Sequence, residues 1–143
     1  MAITQGMATS FKVQLLNGGQ NFSSDTFKIA LYTSSATLGE STTAYSATNE
    51  CPSTGNYTAG GNTLTVNVTP TSSGNVAYVS FANTSWANAT ITANGALIYN
   101  NSKSNAAVAV LAFGGDKTST DGTFAVNFPT ADATSAIIRL TAS

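Results

Sequence analysis

Few residues in this chain have the chemistry for catalysis or metal binding. There is no histidine, so the usual general base and the commonest metal ligand are missing. The one cysteine, Cys51, lies beside Pro52 in a Gly/Ser/Thr-rich stretch and can form no intrachain disulfide. No neighbour of a type that would activate a thiolate is evident, so Cys51 reads as an incidental free thiol. Asp116 and Asp121 flank a Gly-Gly-Asp-Lys-Thr-Ser-Thr-Asp-Gly run that could offer oxygens to calcium. The spacing is not that of an EF-hand, and Lys117 sits beside the first carboxylate. A hairpin loop is the plainer reading, because Asp and Gly are ordinary turn residues. Ser102-Lys103-Ser104 has the residue types of a Ser/Lys dyad but not the geometry. Six Asn-x-Ser/Thr sequons begin at Asn21, Asn56, Asn67, Asn83, Asn88 and Asn100. Chance alone gives about four in so Ser/Thr-rich a chain, so they are no sign of glycosylation. The residues imply no enzyme, no cofactor and no metal.

Composition narrows the field further. The 143 residues suffice for one domain with a proper core. Only 8% are charged, against about 25% in an ordinary domain, while 42% are hydrophobic. Ser, Thr and Asn make the chain polar without charge, which is not the signature of disorder. Five basic and six acidic residues leave no footprint for nucleic acid. A single cysteine is consistent with synthesis in the cytoplasm, and the first ten residues lack the basic start and apolar stretch of a signal peptide. No apolar run is long enough to span a membrane.

Positioning falls to β-strands. Met7, Phe11 and Leu15 recur at four-residue intervals, which predicts a helix over Gln5 to Leu16, with Thr4 as N-cap and Asn17-Gly18-Gly19 as the stop. This makes residues 1–18 an N-terminal helical arm, either a lid on the core or a contact with a neighbouring subunit. Alternation then takes over at Phe27–Tyr32 and at Leu64–Val68. Further strands are expected at Val76–Phe81, Trp86–Thr92, Ala96–Tyr99, Ala107–Phe113, Phe124–Phe128 and Ala136–Leu140. The turn clusters between them include Ser72-Ser73-Gly74-Asn75, Asn94-Gly95, Gly114-Gly115-Asp116 and Asp121-Gly122. About eight short strands predict a single mainly β domain, an antiparallel sandwich of jelly-roll-like type with a short N-terminal helix. Residues 34–57 show no sustained period and read as a long surface excursion, with a short strand near Ala44–Thr48. Such a loop on a rigid scaffold is where binding is expected. Trp86 reads as core, although exposed aromatics would suit sugar stacking.

Several stretches together carry a family resemblance. They are the opening Met-Ala-Ile-Thr-Gln-Gly-Met-Ala-Thr-Ser-Phe-Lys, Asp25 to Tyr32, and Gly55 to Leu64 with its Tyr57-Thr58-Ala59-Gly60-Gly61 centre. Gly95 to Asn100, Ala107 to Val110 and Phe128 to Ala133 complete them. In this order the chain resembles small structural proteins of tailed-bacteriophage virions. The resemblance implies a non-enzymatic virion part, first of all a capsid decoration or cement protein bridging major capsid protein subunits. A neck, tail or fibre-associated protein is the nearest alternative, and a carbohydrate-binding β-sandwich module with a host glycan is a different class. A homo-oligomer, with a trimer favoured, is expected. Expected partner contacts are Met7, Phe11, Lys12 and Leu15 on the arm, and Glu40, Tyr45 and Glu50 on the excursion.

Overall fold

The computed structural model describes residues 2–141. Two antiparallel sheets face each other as a β-sandwich-like fold. The larger sheet runs β1 (Gly6–Met7), β7 (Ala106–Val126), β6 (Thr84–Asn100), β2 (Phe27–Tyr32), β3 (Asn62–Thr63). The smaller runs β4 (Val66–Ser73), β5 (Val76–Phe81), β8 (Ile138–Leu140). One short helix, α1 (Thr9–Leu16), packs on the larger sheet. The core between the layers is aromatic: Phe22 stacks on Phe27 at 4.5 Å, and Phe11 and Phe81 close around them at 6.0 and 6.1 Å from Phe22.

The alternating segments form strands where expected at β2, β5 and β8, but the longest elements differ from the expectation. Asn94-Gly95 is not a turn: β6 runs through it for 17 residues. Gly95 serves a close approach instead, since a Cβ there would lie 2.5 Å from the Leu111 carbonyl oxygen. Likewise Gly114-Gly115 and Asp121-Gly122 do not end strands but bulge the 21-residue β7. The register jumps from Gly95↔Ala112 to Ala93↔Lys117, and Gly114, Gly115 and Asp121 have positive φ. Residues that suit a turn also suit a bulge, and only the pairing partner distinguishes them. Asp116 and Asp121 therefore sit on a strand, not on a hairpin loop. The true β6–β7 turn is a 3-10 turn at Asn101–Lys103, where Asn100 Oδ1 accepts the Ser102 amide at 3.0 Å. The expected Gly74-Asn75 hairpin does join β4 to β5.

The helix begins later than its spacing predicts. Gly6 and Met7 pair with Val110 and Ala109 as β1, and Ala8, not Thr4, occupies the N-cap position. Side-chain capping is dispensable because backbone carbonyls take up nearby donors: Ala8 N–H bonds Val108 O and Thr9 N–H bonds Glu40 O. The predicted strand over Leu64–Val68 is divided between the layers. Leu64 N–H still bonds Phe27 O, after which the chain crosses to β4. Near Ala44–Thr48 there is no strand, only a single bridge from Ala44 to Ala106.

Candidate partner-binding surface

The excursion is not a free loop. Its anchor is Glu50, whose Oε1 accepts the Tyr45 hydroxyl at 2.6 Å. Glu50 Oε2 accepts the Tyr57 hydroxyl and the Gly60 amide, each at 2.7 Å. Tyr57 in turn accepts the Leu31 amide, Tyr99 donates to Gly60 O at 2.6 Å, and Tyr45 stacks on Tyr99 at 4.7 Å. Tyr32 donates to Ser46 O. Burial and the nearby carboxylate hold these phenols neutral. Tyr99 is pushed up to about 12, and Tyr32, Tyr45 and Tyr57 lie higher still. Tyr45 and Glu50, expected as partner contacts, are half-buried and face this internal network.

Several candidate residues hold structural contacts. Cys51 is buried, its Sγ lies 3.4 Å from Thr92 O, and burial raises its thiol to about 11, far from a reactive thiolate. Asp116 accepts from Asn94 Nδ2 across the β6–β7 pair. Among the described residues no cluster of His, Cys, Asp or Glu has metal-site geometry. Ser102 Oγ accepts the Thr26 amide, and Lys103 pairs with Asp25 at 3.6 Å. Burial disfavours the Asp25 charge, but hydrogen bonds from Asn100 and the Asn21 amide, with Lys103 nearby, outweigh it and hold the carboxyl below its usual range. Trp86 and Tyr99 are both buried, Trp86 against Tyr57 and Phe124, so neither offers a ring face to a sugar.

Around α1 the expected contact residues divide by side. Phe11 is fully buried, while Met7 and Leu15 are half-buried. Lys12 reaches Glu40 Oε2 at 3.6 Å, with both side chains largely exposed, so this pair contributes little to stability. Next to Lys12 on the outer helix face lie Val13, 55% exposed, and Leu16, 90% exposed. With Leu140 on β8, these are the large apolar side chains left in water among the described residues. The contacts expected on this segment followed the four-residue stripe Met7, Phe11, Leu15 and did not name Val13 or Leu16. No protein-family model matches the chain, and neither a curated protein nor a solved structure is significantly similar to it.

Proposed function

We propose that the chain is a non-enzymatic structural protein of a tailed-phage virion that decorates the capsid and bridges major capsid protein subunits. The observation that carries this reading is the outer face of α1. Val13 and Leu16 stand in water beside the Lys12–Glu40 pair, and among the described residues Leu140 is the other large apolar side chain left exposed. A small apolar patch with a charged rim is the composition of a protein contact. Each such contact is weak, but an oligomer docking on a repetitive shell multiplies it by avidity. The near-zero net charge keeps repulsion between closely packed copies small. The rigid anchoring of residues 34–57 suits a part that carries load rather than one that closes on a substrate.

The test is cryo-electron microscopy of virions carrying the wild-type chain or the Leu16→Asp variant. Decoration predicts density on the capsid lattice that the variant loses while remaining folded. Density confined to the neck, tail or fibres moves the assignment there, and absence from the particle ends it.

A further inference from the structure

We propose that the outer edge of β7 is a strand-addition site for an extended segment of a partner protein, apolar along its middle and acidic at its ends. β7 pairs with β6 on one side, and on the other it meets Ala44 at a single bridge from Ala106 and the two residues of β1 at Ala109 and Val110. Beyond that, Ala112 N–H is taken by the Gln5 side chain, and no described strand pairs with the edge from Phe113 to Val126. An open groove of about 530 Å³ lies along this edge. Consecutive residues of β7, from Thr123 to Val126, line it. Neighbours in a strand point to opposite faces, so a groove that touches all of them sits on the edge and not on one face.

The edge leads into apolar surface. Phe113 and Phe124 meet there at 6.2 Å, and Phe128 and Ile137 form the other wall. Past Gln5, Leu111 and Ile137 the groove continues into a second cavity of about 280 Å³, between β1 and the end of β8. The two sheets thus expose their edges on one flank, with a gap between them. An added strand would complete the ladder through its backbone and fill the gap with alternate side chains.

Charge selects the occupant. Lys117 lines the first cavity and Arg139 the second, and among the described residues no carboxylate lines either one. Among the described residues neither cation forms an ion pair. Asp116, the acid next to Lys117, is bonded to Asn94 on the β6 side, and Asp132, the acid nearest Arg139 in sequence, accepts the Thr134 and Ser135 amides. In a chain with only five cations, two unpaired ones flanking an apolar groove fit carboxylates on the incoming segment. The bulge at Asp121 limits continuous pairing to the stretch after it, Gly122–Val126, a span of ordinary strand length.

This site does not depend on the virion assignment, and its test uses the isolated protein. The probes are capped peptides of about nine residues alternating Val and Thr, with Asp or Lys at both ends. Binding is measured by titration, and its place by hydrogen exchange. The Asp-ended peptide is expected to bind and to slow exchange in Gly122–Val126, with the Lys-ended peptide at least about tenfold weaker. Lys117→Glu with Arg139→Glu, both exposed positions, should reverse that preference. Methylating alternate peptide nitrogens should abolish binding, because it removes the ladder and leaves the side chains. The proposal is overturned by no binding at millimolar peptide, by equal binding of the two peptides, or by protection mapping to α1. Self-association of the free protein with Gly122–Val126 already protected would also overturn it, by making a second copy the occupant.

Discussion

The Tyr57 hydroxyl donates to Glu50 Oε2 at 2.7 Å and accepts the Leu31 amide at 2.9 Å, so a single buried phenol ties the long connection to β2. Leu31 is fully buried, and its amide has no water to fall back on. Leaving a buried donor without a partner is more costly than the net value of the bond itself.

Tyr57→Phe is therefore expected to lose about 1–3 kcal/mol in urea unfolding. Glu50→Gln should lose a similar amount, because an amide can accept at one atom only while Tyr45, Tyr57 and the Gly60 amide all donate to the carboxylate. The two changes share one network, so the double variant should deviate from additivity by at least about 0.5 kcal/mol. Strict additivity would show that the hub does not act as a unit.

The same network sets an alkaline limit. The phenols of Tyr32, Tyr45, Tyr57 and Tyr99 are raised above their ordinary value of 10, chiefly by burial, with Tyr99 at about 12. In the unfolded chain they ionise near 10, while the folded chain still holds their protons. Above that pH the native state binds more protons than the unfolded state, so stability falls as pH rises. It is complete below about pH 10 and declines from there through 12 and beyond. Urea midpoints measured from pH 8 to 12 should fall in the upper part of that range. In a Tyr78→Phe background, which leaves only these four phenols, phenolate absorbance should appear with unfolding and not before it. Ionisation of all four phenols in the folded protein would contradict this.

How much of this was legible in the residues varies by element. β2 was plain because Phe27, Ile29 and Leu31 alternate and all three are buried. The long β6–β7 ribbon was not, because Asn94-Gly95 and Gly114-Gly115 carry the same local preference in a bulge as in a turn. Only the distant pairing of Ala93 with Lys117 decides between them. The Glu50 hub was hidden for a related reason. Of its donors, Tyr45 and Tyr57 lie in a stretch with no period and Gly60 in the glycine pair after it, and the Leu31 and Tyr99 contacts come from other parts of the fold. The four-residue stripe found the buried Phe11 but also took in Met7, which belongs to β1, and the exposed Val13 and Leu16 lie off it.

Two glycines should separate backbone constraint from mere flexibility. Gly61 has φ +77, and a Cβ there would fall 1.7 Å from the Ile29 carbonyl oxygen. That oxygen belongs to β2 and cannot move without breaking the sheet. Gly74 has a similar φ of +59 in the β4–β5 hairpin, with nothing within 4 Å. Gly74→Ala should cost only the left-handed penalty, about 1–2 kcal/mol. Gly61→Ala adds a backbone clash and should exceed about 4 kcal/mol, the range reserved for severe structural conflict. Equal thermal shifts for the two variants would mean that the Gly61 approach is not as close as the fold requires.

The last prediction concerns α1, where stability and docking are carried by opposite faces. Phe11 is fully buried against Phe22, so Phe11→Ala should cost about 3–5 kcal/mol whether or not the helix binds anything. Val13 and Leu16 touch mainly water, and Val13→Ser or Leu16→Asp should change stability by no more than about 0.5 kcal/mol. Removing the whole arm cannot make this distinction, because β1 and Phe11 would leave with it. The two point variants can. If α1 docks on the shell, they should lower occupancy on particles while their unfolding midpoints match the wild type. Phe11→Ala should instead reduce occupancy only in step with the unfolded fraction. Full occupancy by a folded Leu16→Asp variant would remove the helix face from the contact and leave its exposed leucine without a role.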